Sequence, residues 1–319
     1  MTMKENNGKA VYTDGRVQVL EYGITEIDKS TFEDIENLVS VVLPGSIEKI
    51  KHTPFFGCKK LESVVLPPIN DAVEHMAFYR CEKLKSIVIP EGVTCLSSAF
   101  VECTGLESVK LPESLAHIVA WSFFDCPSLK SIEIPSGVSR IDVNPFPQCR
   151  TKITVSPENK YFKVVDGNLY SIDGTRLISY IPKENETHFS VPVGVTSIGH
   201  TAFSGCLSLK SVTIPEGVTT LESYAFQECE NLEKIELPGT LTHIEYYVFD
   251  LCQKLTSISI PASVSSIECG AFNRCDNIKT VYYGGTAKDL KNALKDKEGN
   301  EKLCPRKKGH AEIHYNCKL

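Results

Sequence analysis

Phe203-Ser-Gly-Cys206-Leu-Ser-Leu209-Lys-Ser-Val212-Thr-Ile214-Pro215-Glu-Gly-Val218-Thr-Thr-Leu221 is one beat of a pattern that fills most of the chain. Leu209, Val212 and Ile214 end on a period of two, which predicts a short, half-buried strand. Pro215 and Gly217 stop that strand and turn the chain, because proline lacks a ladder donor and suits a strand end. Val218 and Leu221 predict a second short extended or bent segment. The stretch from Phe203 to Cys206 spans about one helical turn and should bring both side chains inward.

The pairing of phenylalanine with a cysteine three residues later occurs nine times. The pairs are Phe55/Cys58, Phe78/Cys81, Phe100/Cys103, Phe123/Cys126, Phe146/Cys149, Phe203/Cys206, Phe226/Cys229, Phe249/Cys252 and Phe272/Cys275. Successive pairs lie 23 residues apart, with one step of 22 and one of 57. A fixed period in this range makes each unit one coil of a solenoid, able to bury its apolar face only against its neighbours. Strand triads repeat with it, from Leu38/Val41/Leu43 through Leu84/Ile87/Ile89 to Leu255/Ile258/Ile260, and a proline follows each, as at Pro44, Pro90 and Pro261. The phenylalanine column, extended by Phe32, is expected to be the spine.

The long step between Phe146 and Phe203 is the one interruption. Ile153-Thr-Val155 still reads as a strand, and Asp173-Gly174 between alternating apolar residues is a strong hairpin signal. One coil, at 153–191, therefore carries an inserted hairpin. Both ends are atypical, as solenoid caps must be. Val11 to Leu20 resembles a hairpin around Asp14-Gly15, and Gly23 to Ile27 opens a half coil in which Ile35 stands at the cysteine position. Thr286 to Leu294 reads as a helix capped by Thr286, and Ala311 to Tyr315 as a closing strand. The expected organisation is an N-terminal cap at 1–22, a solenoid at 23–281 and a C-terminal cap at 282–319.

The formula Phe-x-x-Cys-x-x-Leu-x-x-Val/Ile-x-Leu/Ile-Pro-x-x-Val/Leu-x-x-Ile resembles the BspA-like, or Treponema-type, leucine-rich repeats. The likeness runs from about Gly23 to Tyr283. The Asp-Gly-Asn-Leu-Tyr…Asp-Gly-Thr-Arg-Leu hairpin at 166–177 and the Tyr-Tyr-Gly-Gly-Thr…Ile-His-Tyr-Asn ending at 282–316 strengthen it. The resemblance implies an α/β repeat solenoid: a right-handed, curved leucine-rich-repeat stack of about 11 coils with short parallel strands on its concave face. It also implies surface proteins of bacteria and some protists that adhere to host matrix proteins or other cells.

Thirteen cysteines suggest disulfides or metal until their positions are read. Nine occupy one point of the repeat. Equivalent positions on paired strands lie roughly 4.7–4.9 Å apart with side chains pointing the same way, whereas a disulfide needs Cβ atoms about 3.5–4.5 Å apart. The ladder therefore reads as reduced thiols acting as small buried apolar groups. Cys95, Cys269, Cys304 and Cys317 lie off it. A net charge of −6 argues against a nucleic-acid partner. No run approaches the roughly 18 apolar residues of a membrane span. Met1-Thr-Met-Lys-Glu-Asn-Asn-Gly8 lacks the apolar core of a secretory signal. Either the chain stays inside the cell or this is a mature or trimmed form.

Two columns flank the inward residues of each strand. The third position of the strand formula is mostly serine, as at Ser40, Ser63 and Ser86, which fits hydroxyls bonding across coils. The fifth position varies: Val42, Val65, Val88, Lys110, Glu133, then Thr213, Glu236, Ser259 and Tyr282. The eight from Val42 to Ser259 are the candidate partner-binding residues. The three valines would form an apolar strip, unless the N-terminal segment covers it or strand propensity alone explains it. Cys304, His310, His314 and Cys317 offer zinc-ligand chemistry, but their spacing matches no strong zinc pattern and reads as incidental to a closing strand. His52 and His75 share a repeat column without an accompanying carboxylate-nucleophile set. No nucleophile elbow, zinc-protease helix, Walker loop or dinucleotide fingerprint is present. The sequence thus predicts a non-enzymatic protein without cofactor or metal. Its partner would be a host or bacterial protein of matrix type, or a glycan, and a monomer is expected. Adhesion at the cell surface is the function the resemblance implies; the alternative is an intracellular, cytoplasmic scaffold using the same face.

Overall fold

The computed structural model describes residues 5–6, 9–10, 17–20, 23–32, 35–70, 72–73, 75–294, 298, 300, 303 and 311–318. Of the hairpin expected from Val11 to Leu20 around Asp14-Gly15, the turn and first arm lie outside the described residues, and Val17–Val19 is a strand that pairs in parallel with Ser40–Val42. The chain forms a β-solenoid of about 11 turns with parallel strands and little helix, divided into compact units at Met1–Gly167 and Asn168–Leu319.

In the first unit each coil contributes two short strands to two parallel rows. The first row runs from Val17–Val19 through Ser40–Val42, Ser63–Val65, Ser86–Val88, Ser108–Lys110 and Ser131–Ile134 to Lys152–Val155. Its strands pair in register, so that Ser40 lies beside Ser63 and Ser86 beside Ser108. Period two then dictates the rest: Val41, Val64, Ile87, Val109, Ile132 and Ile153 are buried, while the residues either side of each face outward. The second row is a six-stranded parallel sheet of residue pairs from Glu26–Ile27 to Arg140–Ile141. Its inward residues, Ile27, Ile50, Val73, Leu96, Ile118 and Ile141, are also buried.

The corner from phenylalanine to cysteine is not the helical turn its length suggests. The cysteine N–H donates to the phenylalanine carbonyl three residues back, at 3.2 Å for Cys58 and 3.3 Å for Cys103. Left-handed residues flank the ring, as with Thr53 and Gly57 around Phe55, and Ser98 and Glu102 around Phe100. Such a backbone costs a non-glycine residue roughly 1–2 kcal/mol. Bonds to the next coil offset that cost: the N–H groups of Phe78 and Arg80 reach the carbonyls of Ala99 and Val101 at 2.9 and 3.0 Å. A helix would satisfy those groups within the coil and leave nothing for the neighbour.

The rings form the expected column. Phe55, Phe78, Phe100, Phe123 and Phe146 stack with centroids 5.1–5.5 Å apart and planes within 14°, a spacing within the favourable aromatic range. The cysteines prove to be more than apolar filler. Cys103 Sγ donates to the Phe78 carbonyl at 2.9 Å, Cys126 to Phe100 at 3.0 Å and Cys149 to Phe123 at 2.9 Å. Burial pushes the Cys103 and Cys149 thiols up to about 12, which keeps them protonated donors. Replacing Cys126 by alanine is expected to lower stability by about 1–2 kcal/mol, measured by urea unfolding. The loss stays small because the Phe100 carbonyl still accepts from the Cys103 N–H. A change of more than 4 kcal/mol would contradict this account.

The second unit repeats the scheme. Asn168–Ser171 and Arg176–Ser179 pair antiparallel as the inserted hairpin. Asp173 Oδ1 fixes its tip, accepting from the Ser171 and Thr175 hydroxyls and the Thr175 N–H. Ser197–Ile198, Thr220–Leu221, His243–Ile244 and Ser266–Ile267 pair in parallel as this unit's own row of residue pairs. Tyr180 takes the phenylalanine place of the hairpin coil, 4.8 Å from the Phe203 ring, and its hydroxyl donates to Glu186 at 2.6 Å. Phe203, Phe226, Phe249 and Phe272 stack as this unit's own column. At the end, Ala287–Ala293 is an α-helix closed by a capping box between Thr286 and Asp289. The strand Glu312–His314 pairs in parallel with Thr280–Tyr283.

Candidate binding face

The first strand row presents the columns between which a partner would choose. In the first unit Val42 lies beside Val65, and Val88 beside Lys110. Val42, Val65 and Val88 are 41%, 56% and 60% exposed, so no described residue covers them. Lys110 and Glu133 are exposed on the following strands. In the second unit Thr213 pairs with Glu236, and Ser259 with Tyr282. Glu236 is exposed, whereas Thr213 and Ser259 are half-buried. The eight sequence-derived residues therefore form two sets: Val42, Val65, Val88, Lys110 and Glu133 in one unit, and Thr213, Glu236 and Ser259 in the other.

Each unit carries a lysine-bound carboxylate on its strand row. Glu236 is occupied internally: Lys234 Nζ lies 2.6 Å from one oxygen and the Thr213 hydroxyl donates to the other at 3.1 Å. The Lys234 contact holds that carboxyl below the usual range. In the first unit, Glu107 bridges Lys85 and Lys130 at 3.1 and 2.5 Å, and Lys130 foremost lowers its carboxyl in the same way. The serine column does bond across coils at one step, with the Ser40 and Ser63 hydroxyls 2.9 Å apart.

Sequence reasoning passed over two further surface features. Phe56, 40% exposed, stacks on Tyr79 at 4.5 Å, and Tyr79 is fixed by its hydroxyl bond to Glu102 and by Arg80 over its ring. The other lies on the second strand row, where Cys95, His117 and Arg140 occupy adjacent positions. Of the zinc-type quartet, Cys304 and His310 lie outside the described residues. His314 stacks on Tyr282 at 5.2 Å, and Cys317 Sγ donates to the His314 carbonyl. Among the described residues no group of three His, Cys, Asp or Glu side chains is placed to hold a metal ion, and no helix is long and apolar enough to cross a membrane.

Coils of one strand–turn–strand unit, stacked on a phenylalanine column with an outward-facing strand row, define a leucine-rich-repeat solenoid. The chain belongs to the BspA-type leucine-rich repeat family, whose model of six copies matches residues 25–154 and 180–296. Repeat proteins of this family typically mediate protein binding. The crystal structure of the pneumococcal vaccine antigen PcpA aligns with a TM-score of 0.75 at 21% identity, covering 100% of this chain and 88% of that one. A leucine-rich cell surface protein from Faecalibacterium prausnitzii aligns at 0.68 and 23% identity, covering 93% and 98%. At these identities the likeness is one of fold. No curated protein matches the chain in sequence.

Proposed function

We propose that this chain is a non-enzymatic binding protein of the cell surface whose outward strand columns adhere to a protein or glycan partner. The observation that carries the reading is the strip of Val42, Val65 and Val88, at 41–60% exposure in one column. Strand propensity explains a valine at any strand position. It does not explain why the same column turns polar from Lys110 onward, since those strands form equally well. Three neighbouring exposed valines make a contiguous apolar patch, the kind of surface that marks an interaction site. Lys110 and Glu133 supply the charged rim beside it, as interfaces require. Thr213, Glu236 and Ser259 form the more polar set, suited to hydrogen bonding with a glycan or a polar peptide. The surface location is supported by the company of a cell-surface protein and a vaccine antigen among proteins of like fold.

The test is binding of the purified chain to immobilised collagen, fibronectin and laminin, and to a glycan array. Val65→Lys is expected to weaken the strongest interaction about 10-fold, which equals about 1.4 kcal/mol. Unchanged affinity in that variant would remove the strip from the interface. A second reading, an intracellular scaffold using the same face, is favoured by the thiols, because cysteine-rich proteins outside the cell usually carry disulfides. Protease shaving of intact cells decides between them: release of peptides from this chain supports the surface, full protection the interior.

A further inference from the structure

The outward column of the second unit ends in a ring with one open face. Tyr282 lies on Thr280–Tyr283, with Ser257–Ile260 on one side and Glu312–His314 on the other. The His314 ring stacks on Tyr282, with centroids 5.2 Å apart and planes within 16°. A ring stacked in this way turns its second face toward the opposite strand, where Ser259 is its neighbour. A serine is too short to cover a phenol, and Tyr282 is 39% exposed. Among the described residues no second ring stacks on Tyr282, and no group bonds to Ser259 Oγ.

The far side of this gap is polar and already oriented. Lys234–Glu236 lies against Ser257–Ile260, on the flank away from Tyr282. Glu236 leans further away still. One of its oxygens holds Lys234 Nζ at 2.6 Å, and the other accepts at 3.1 Å from Thr213, which stands on the strand beyond. The space above Ser259 therefore stays clear. Each carboxylate oxygen keeps a lone pair, and Lys234 keeps N–H donors, for a ligand. Neighbouring strands lie about 4.8 Å apart, so Glu236 and Tyr282 stand roughly 9–10 Å apart along the column. That leaves room for one flat ring at the level of Ser259.

We propose that this gap is a subsite for one uncharged pyranose ring of a glycan, stacked on Tyr282 above Ser259. The proposal rests on the reading of the chain as a binding protein and names the ligand of its polar set. Ring C–H groups carry partial positive charge and suit the negative face of an aromatic ring. With one sugar face on Tyr282, the opposite face looks toward Glu236. A pyranose with a single axial hydroxyl on that face, and only C–H groups on the other, satisfies both walls together. A sugar whose hydroxyls are all equatorial offers Glu236 no donor. An anionic sugar would bring its charge against the carboxylate. One apolar wall with a few convergent polar groups is the usual composition of a small-ligand site.

The experiment titrates the full chain with methyl β-D-galactopyranoside, which has one axial hydroxyl, and methyl β-D-glucopyranoside, which has none. Saturation-transfer difference NMR reads both. The galactoside is expected to bind with a Kd on the order of 1 mM, its axial ring protons on one face taking up most saturation, and the glucoside about 10-fold more weakly. Tyr282→Ser should weaken the galactoside at least about 10-fold, whereas Tyr282→Phe, which keeps the ring face, should retain it. Ser259→Tyr is the second variant: it fills the gap with a ring that continues the stack, and should abolish binding while circular dichroism stays unchanged. Val65→Lys, in the other unit, should leave galactoside binding intact. Matrix-protein binding without galactoside binding therefore overturns this subsite alone, and loss of both overturns the binding reading with it. Equal affinity for the two glycosides, or a galactoside affinity indifferent to Tyr282→Ser and Ser259→Tyr in folded protein, also overturns the proposal.

Discussion

Replacing Phe100 by alanine is expected to lower the stability of the first unit by about 3–5 kcal/mol. The ring is fully buried between Phe78 at 5.2 Å and Phe123 at 5.5 Å, with planes within 11° of both. Its removal deletes a large apolar transfer term and leaves a cavity between two coils. The neighbours cannot close over that cavity, because their spacing is fixed by backbone bonds such as Phe100 N–H to the Ser122 carbonyl at 2.9 Å. Two aromatic contacts worth roughly 0.5–1.5 kcal/mol each disappear with it. Phe32→Ala is the control. Among the described residues that ring has one ring partner, Phe55, tilted at 32°, so its loss should cost roughly half as much. Urea unfolding followed by the fluorescence of Trp121, the single tryptophan, reads both variants. Equal costs at the two positions would show that the column is not the source of stability.

The column was legible from sequence because a solenoid converts spacing along the chain into spacing in space. A residue 23 positions on lies one coil away, so the period located the strands of the repeated triads, including Ser211–Thr213 under the Leu209/Val212/Ile214 triad. Tyr180 escaped only because its chemistry changed: it stands 23 residues before Phe203, but with no cysteine after it. The left-handed corners were not legible. Glycine is the usual signal for that backbone, yet among the flanking positions only Gly57, Gly205 and Gly270 use it, while Met76, Trp121 and Tyr224 adopt it regardless. Bonds between coils hold those residues, and such bonds have no local sequence signature. The same reason hid the thiol-to-carbonyl bonds, which join residues 25 or 26 apart. The valine strip showed itself through strand alternation. The row of Cys95, His117 and Arg140 did not, because only register across three coils brings those positions side by side.

Gly92→Ala is expected to destabilise by about 2–4 kcal/mol, through two causes that can be separated. The first is backbone conformation. Gly92 has φ +97°, where a side chain is strained wherever it points. The second is crowding: a Cβ there would sit 2.5 Å from the Ile69 carbonyl oxygen of the preceding coil. A backbone carbonyl cannot swing aside as a side chain can. The site is also pinned from the following coil, since the Gly92 N–H donates to Ser114 Oγ at 2.9 Å and Ser114 Oγ donates to the Val93 carbonyl. The same clamp recurs where the Gly23 N–H meets Ser46 and the Gly217 N–H meets Thr240. Gly23 has φ +112° but, among the described residues, nothing within 4 Å of its would-be Cβ. Gly23→Ala therefore keeps the conformational cost and drops the collision, and should lose only about 1 kcal/mol. The difference between the two variants, about 1–3 kcal/mol by urea unfolding, measures how tightly one coil closes on the last. If the two lose the same amount, the coils can move apart to admit a methyl group, and the rigid spacing that makes Phe100 irreplaceable is absent as well.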